Sequence, residues 1–234
     1  MVLRRRLDVA ANNVANVETT GFRAQQLSFQ EYLKPEKGNE IGIKPERPLS
    51  LVDAAFTFTT SSAGAIRNTG NPLDLAINGN AYFVVQTPQG ERYTRDGSFS
   101  LDGTGRLVTM DGLPVLADRG AVTVPAQAGT ISIDPGGRIS TRLGELGRLR
   151  LVSFPAQANL HSVGGNLFRS DRAAEAARGG SATVLQGVTE KSNVRPTIEM
   201  SRLVEINRSY ELASKLLKDS QGTADLNKLA NVPD

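Results

Sequence analysis

The chain reads LDLAINGNAYFVVQTPQGERYTRDGSFSLDGTGRLVTMDG from residue 73 to residue 112. Leu73, Leu75 and Ile77 alternate with Asp74 and Ala76, and a dense apolar run follows at 81–86. Turn dipeptides separate these runs: Asn-Gly at 78–79, and Asp-Gly at 96–97, 102–103 and 111–112. Short alternating strands between turns predict an antiparallel, β-rich domain.

The same pattern continues towards the C-terminus. Further strands are predicted at 121–124, 130–133, 137–140, 147–154 and 183–190. Within 147–154, the alternation places Leu149 and Leu151 on one face and Arg148 and Arg150 on the other. The β-rich central domain is therefore predicted to span residues 73–190.

The two ends of the chain each carry an apolar stripe that advances by threes and fours. This spacing is typical of the seam of a coiled coil. Short isolated helices are marginal in water, so the stripes are expected to pack on each other or on other copies of the chain. We expect a helix-pairing interface of Leu3, Leu7, Ala10, Val14 and Val17 with Leu203, Ile206, Tyr210, Ala213 and Leu217.

The predicted fold is therefore mainly β, with paired N- and C-terminal helices that form a coiled coil. Four parts are expected: an N-terminal helical segment (1–33), an extended connector (34–72), the β-rich domain (73–190), and a C-terminal helix with a polar tail (191–234). The first helix is expected to end near residue 18, with Gly21 in the left-handed conformation that closes helices. A short further helix is predicted around 26–33.

Three asparagines, Asn12, Asn13 and Asn16, lie on the first helix. Asparagine disfavours helix interiors because its amide competes for backbone hydrogen bonds. Two interpretations stay open: exposed polar positions, or amides that bond across a packed interface and fix its register. On the second interpretation, all three contact neighbouring subunits.

Composition excludes several classes of function. The 234 residues include no cysteine and one histidine, which excludes disulfides, thiolate metal sites and sites with several histidines. The net charge of +3 does not demand nucleic acid, and the Arg4-Arg5-Arg6 run fits a solvated helix face. Neither a secretory signal nor an apolar window of about 20 residues is present.

Catalysis is also disfavoured by the sequence. The single His161 is expected to lie in a loop, and a G-x-S-x-G nucleophile motif is absent. The unequal spacing of the Asp-Gly pairs fits hairpin turns better than calcium repeats. We therefore predict a chain that is not an enzyme, with no catalytic residues, metal or cofactor.

Three motifs now resemble a known family. The run Ala11-Asn12-Asn13-Val14-Ala15-Asn16 with Thr19-Thr20-Gly21-Phe22-Arg23 resembles the N-terminal signature of bacterial flagellar rod and hook proteins. The segment 70–112 resembles the core of the rod branch, and the stretch from Ser192-Asn193-Val194 to Tyr210-Glu211-Leu212 resembles its closing helix. The match is strongest to the proximal-rod branch, with the distal-rod branch as the alternative.

The resemblance implies a structural role. It implies export through the flagellar type III apparatus without a cleaved signal, and helical polymerisation into the periplasmic rod. The implied partners are other copies, proximal and distal rod subunits, and the ring around the rod. Family members carry further N-terminal helix before the point that matches Met1, so this sequence is expected to lack that part.

Two functions from other classes compete with this expectation. A soluble binding module for cell-wall or ring components would explain the β-domain but not the matched terminal helices. A hydrolase would need two carboxylates in a cleft, and the sequence places no such pair.

Overall fold

The structure is a computed structural model that describes residues 2–34, 49–60, 62–155, 158–177, 180 and 182–230. It is mainly β, with helix α1 at Val2–Ala15 and helix α2 at Pro196–Ala230. This confirms the predicted fold class of antiparallel sheets with a helix near each end. The chain forms two compact units, one of Met1–Ala15, Leu27–Phe56 and Arg195–Asp234, and one of Asn16–Gln26 and Thr57–Val194.

Nineteen strands occur in the described part of the chain. The first nine are β1 Gln25–Lys34, β2 Leu49–Thr59, β3 Ile66–Asn68, β4 Leu75–Gly79, β5 Tyr82–Thr87, β6 Gly90–Thr94, β7 Phe99–Leu101, β8 Leu107–Thr109 and β9 Leu116–Ala117. The others are β10 Gly120–Ala121, β11 Ser132–Ile133, β12 Arg138–Thr141, β13 Gly144–Arg148, β14 Leu151–Ser153, β15 Leu160–Ser162, β16 Leu167–Ser170, β17 Glu175–Ala176, β18 Ala182–Gln186 and β19 Val188–Glu190.

The largest sheet has six strands in the order β15-β16-β6-β5-β14-β17. Its centre is the hairpin of β5 and β6, in which Val84 lies opposite Tyr93 and Thr87 opposite Gly90. Smaller antiparallel pairs surround it, including β4 with β18 and β3 with β19. These two pairs bring the last strands of the chain onto the first strands of the β-domain.

Apolar side chains of the central strands fill the core of this unit. Phe83 and Val85 of β5 lie in the main cluster with Leu75 and Ile77 of β4. Tyr82 and Val84, which point to the other face of β5, form a second cluster with Phe168. Alternation along β5 therefore serves two cores at once, which explains why this strand is apolar at nearly every position.

Two predicted strands are each divided in two. Residues 147–154 are split between β13 and β14, because β13 pairs with β12 whereas β14 pairs with β5 and β17. The predicted faces are confirmed: Leu149 lies in the core and Leu151 packs against it. Residues 183–190 break at Gly187, whose φ of 76° lets the chain change partner from β4 to β3.

The short helix predicted around 26–33 is wrong, because these residues belong to strand β1, which pairs with β2. The sequence does contain the strand signal: Leu27, Phe29 and Leu33 alternate with Ser28 and Gln30. This period of two outweighs the weak helical preference of the segment. The predicted connector lies partly outside the described residues, and its described part includes strands β2 and β3.

Smaller expectations about the turns are also corrected. Helix α1 ends at Ala15, so Gly21 takes its left-handed φ of 66° beyond the helix rather than at its end. His161 lies in strand β15 opposite Arg169, and not in a loop.

At the Asp102-Gly103 turn, the Thr104 hydroxyl and the Arg106 backbone N–H donate hydrogen bonds to the Asp102 carboxylate. These bonds hold the pKa of Asp102 well below its usual range.

Candidate functional site

The N-terminal part of the candidate site is helix α1. Its predicted interface residues Leu3, Leu7 and Val14 are half-buried and Ala10 is buried, whereas Arg4, Arg5 and Arg6 are exposed. Positions three and four apart share one helix face, which is why the buried and exposed sets separate in this way. Val17 lies in the turn after α1 and is half-buried.

The C-terminal part is α2, which contacts α1 within the first compact unit. Leu203, Ile206 and Ala213 are half-buried, but Tyr210 is 63% exposed. The backbone of Leu217 lies in α2, and its side chain is outside the described part. These positions bring much of the predicted stripe to one side of α2, while the coiled-coil geometry itself stays a prediction.

The three asparagines have different surroundings. Asn13 is 1% exposed, Asn12 is exposed, and Asn16 is half-buried in the turn after α1. The Thr19 hydroxyl donates to the Asn16 side-chain oxygen at 3.1 Å. The interpretation in which an asparagine fixes the register of the interface requires a buried amide, and Asn13 is the residue of the three that meets this requirement.

Glu199 is a buried residue of the site that sequence reasoning missed. It lies in the first turn of α2, and Arg202 donates to its carboxylate at 2.7 Å. A carboxylate in the first turn is favoured by the helix dipole. The signal was available, because Glu199 stands four residues before Leu203 and so continues the same stripe.

A second set of apolar side chains on α2 faces outward. Exposed positions on this helix include two leucines that are each 62% exposed, Leu212 and Leu216. The set comprises Ile198, Met200, Val204, Tyr210, Leu212 and Leu216. A helix with apolar residues around much of its circumference is stable only if more than one face is covered.

The segments next to the helices meet in the second compact unit. We call residues 19–24 the arm, and residues 62–65, Arg95, Asn166 and 190–193 the receptor. Glu190 of the receptor is 1% exposed and binds two arginines: Arg23 of the arm, at 3.0 Å, and Arg95, at 2.8 Å. Burial lowers the pKa of the Arg23 guanidinium, and the Glu190 carboxylate acts in the opposite direction.

Glycines allow the backbones in this region to cross closely. A Cβ on Gly21 would lie 2.5 Å from the Arg95–Asp96 peptide, and one on Gly64 would lie 1.8 Å from the Lys191 carbonyl oxygen. Both distances are far below van der Waals contact, so only glycine fits these positions. From the sequence, Gly21 was expected to close helix α1. Its contact with Arg95 could not be predicted, because the two residues are far apart in the chain.

Metal binding and membrane insertion were also considered for the described residues. They contain no group of three or more His, Asp or Glu side chains that could hold a metal ion. Among the described helices, none is long and apolar enough to cross a membrane. A groove along α2 is lined mostly by polar residues of that one helix: Ser201, Val204, Glu205, Arg208, Ser209 and Leu212.

Comparison with known proteins identifies the class to which this fold belongs. Three family models match in order along the chain: a flagella basal body rod protein model at 1–23, the flagellar hook protein FlgE/F/G D1 domain at 76–141, and the flagellar basal body rod FlgEFG protein C-terminal model at 185–228. The chain belongs to the flagellar basal-body rod protein family.

Individual relatives refine this assignment. The flagellar basal-body rod protein FlgF of Caulobacter vibrioides is 38% identical over 98% of this chain and 92% of its own length. FlgF of Mesorhizobium japonicum is 32% identical over 96% of the chain and 91% of its own length. The rod protein FlgG of Bacillus subtilis is 33% identical, with coverages of 92% and 89%. These relatives are named as rod proteins and not as enzymes, in agreement with the prediction from sequence.

Proposed function

We propose that this chain is a structural subunit of the proximal flagellar rod that polymerises through its terminal helices. Helices α1 and α2 of one chain pair as a coiled coil through the predicted interface residues other than Tyr210, which is 63% exposed and belongs to the outward set. The outward apolar side chains of α2 then pack against neighbouring subunits. Asn12, Asn13 and Asn16 were all predicted to contact neighbouring subunits; exposed Asn12 and half-buried Asn16 keep this proposed role, and Asn13, which is 1% exposed, is proposed to fix the register within the chain.

The observation that carries the proposal is the apolar outer surface of α2. Helix α2 has 35 residues, and besides the half-buried stripe it carries apolar side chains that are exposed. Tyr210, Leu212 and Leu216 lie on the far part of α2 and are exposed. Burying each such side chain is worth roughly 1.5–3 kcal/mol, which supplies a driving force for association.

The proposal extends to location and partners. As a rod subunit, the chain would leave the cytoplasm through the flagellar type III export apparatus, without a cleaved signal, and act in the periplasm. Its partners would be copies of itself, other proximal subunits, the distal-rod protein and the ring around the rod. The proximal position is supported by the FlgF relatives, and the FlgG relatives keep a distal position as the alternative.

A double substitution on the exposed face of α2 tests the proposal. Leu212→Ser with Leu216→Ser should leave the stability of the isolated chain within about 0.5 kcal/mol, since both side chains are already exposed. The same variant should fail to enter rods, as judged by immunoblots of purified basal bodies. Met110→Ser is the matched control, because Met110 is 73% exposed but lies in the β-domain.

Two results would argue against the proposal. Normal incorporation of the double variant would remove the outer face of α2 from the assembly contacts. Complementation separates the proximal from the distal position: the chain should restore motility to a Caulobacter vibrioides strain that lacks FlgF, and restoration of a strain that lacks FlgG instead would favour the distal rod.

A further inference from the structure

We propose that the second compact unit carries a peptide-binding site for the Gly21-Phe22-Arg23 run of the chain's own arm, with Glu190 as the carboxylate that binds the guanidinium. The site recognises an extended peptide segment in which glycine is followed by an aromatic residue and arginine. It holds whether or not the chain forms a rod, because all of its groups lie within one compact unit of a single chain.

The arm is bound as a peptide ligand is, through its backbone. The Gly21 N–H donates to the Glu190 carbonyl oxygen at 2.7 Å, and the Asn193 N–H donates to the Phe22 carbonyl oxygen at 3.3 Å. The Ala24 N–H donates to the Asn193 side-chain oxygen at 2.7 Å. The Asn166 side-chain amide donates to the Thr20 carbonyl oxygen. Main-chain bonds of this kind give affinity, and side-chain pockets give specificity.

Two side-chain positions of the arm are selective. Gly21 has a φ of 66° and lies against the Arg95–Asp96 peptide, so a residue with a Cβ would both strain the backbone and collide. Arg23 pairs with Glu190 and also donates to the Ser62 carbonyl oxygen. The planar guanidinium presents donors to both acceptors at once, which the single ammonium of lysine reproduces poorly.

The receptor is held together by contacts that do not involve the arm. Glu190 Oε2 binds Arg95, and Glu190 Oε1, the oxygen that pairs with Arg23, accepts a hydrogen bond from the Gly64 N–H at 2.9 Å. Arg95 in turn donates to the carbonyl oxygens of Ile77 and Gly79 at 3.1 and 2.9 Å. Because Glu190 keeps these partners without Arg23, loss of Arg23 should weaken docking of the arm and leave the receptor folded.

Occupancy of this site has a consequence for the terminal helices. Phe22 follows the end of α1 at Ala15, and Asn193 precedes the start of α2 at Pro196. The hydrogen bond between the Asn193 N–H and the Phe22 carbonyl oxygen therefore joins the segment that follows α1 to the segment that precedes α2. An undocked arm would break this link between the segment that follows α1 and the segment that precedes α2.

Amide hydrogen exchange of the full chain, followed by NMR, tests the separation of arm and receptor. In Arg23→Ala, the amides of residues 21 and 24 should exchange about 10- to 100-fold faster, the range expected for loss of one charged hydrogen-bonded pair. In Gly21→Ala, they should exchange at least as much faster, because the new Cβ would collide with the Arg95–Asp96 peptide. The amides of Val84 and Val85 in β5 should keep their protection. Arg106→Ala, which removes an exposed ion pair with Asp102, is the control and should leave the arm unchanged.

Rescue by a peptide tests recognition. The capped peptide Thr-Thr-Gly-Phe-Arg-Ala, added to the Arg23→Ala chain, should shift the Gly64 amide resonance in a saturable way. The peptide with alanine in place of arginine should bind at least about tenfold more weakly. Global loss of protection in Arg23→Ala, unchanged arm protection, or equal effects of the two peptides would each overturn the proposal.

Discussion

At the scale of single residues, the main feature is the buried cluster in which Glu190 pairs with Arg23 and Arg95. Glu190 and Arg95 are 95 positions apart in the chain, and each looks in the sequence like an ordinary charged residue of a strand. Pattern analysis assigns such residues to a solvated face. Glu190 is brought into place by the pairing of β19 with β3, which is a long-range event that local periodicity does not report.

Glu190→Gln should destabilise the chain strongly. It leaves two buried arginines without their carboxylate, a loss that costs about 3–5 kcal/mol when one partner of a buried pair is removed. Urea unfolding followed by circular dichroism measures this change. Glu145→Gln is the matched control, since the Arg138–Glu145 pair spans 3.6 Å with both side chains about half exposed, and its effect should stay within about 0.5 kcal/mol. Equal effects of the two variants would show that the cluster contributes nothing special.

The glycines of two Asp-Gly pairs that look alike in sequence should differ in how much stability their replacement by alanine costs. A Cβ on Gly97 would lie 1.7 Å from the Leu75 carbonyl oxygen, so Gly97→Ala should cost about 3 kcal/mol or more. Gly103 has no atom within 4 Å of its Cβ position, so Gly103→Ala should change stability by less than about 1 kcal/mol. Thermal unfolding of both variants is the measurement, and a cost at Gly103 that matched Gly97 would contradict it.

At the scale of elements, periodicity was reliable where one face of an element decides its burial. Strand β4 is an example, because Leu75 and Ile77 of its alternating pattern lie in the core. The stripes of α1 and α2 stay a prediction. In strand β1 the alternation competes with a helical preference of the same segment, and pairing with β2 decides in favour of the strand. The breaks at Gly187 and between β13 and β14 depend on which sheet each half joins, and sequence does not state that. The predicted four-part division of the chain stays a prediction.

Aspartate in the helix stripes should block assembly and spare the β-domain. Leu7→Asp or Leu203→Asp places a charge on a half-buried apolar position, which disfavours packing of α1 and α2. Basal bodies from cells that produce either variant should lack the chain, while hydrogen exchange of β5 and β6 in the purified variant stays as in the wild type. Ala11→Asp and Asn207→Asp are controls at exposed positions of the same two helices. Normal incorporation of either leucine variant would show that the interface is assigned to the wrong residues.

At the scale of the whole molecule, the sequence motifs and the comparisons with known proteins indicate the same family. The N-terminal, central and C-terminal motifs match the three rod family models in order, and the relatives cover nearly the whole chain. The arm links these levels, because its Gly-Phe-Arg run is part of the N-terminal motif and also occupies the Glu190 receptor. Family membership could be predicted from sequence. The use that the fold makes of the motif needed the structure.

The central claim is that the chain is an axial structural subunit of the rod. Electron microscopy of basal bodies purified from cells that lack the gene for this chain tests it most directly, with the complemented strain as control. Rods should stop short in the deletion strain and reach full length after complementation. Rods of normal length without this chain would contradict the account and favour a β-domain that binds cell-wall or ring components.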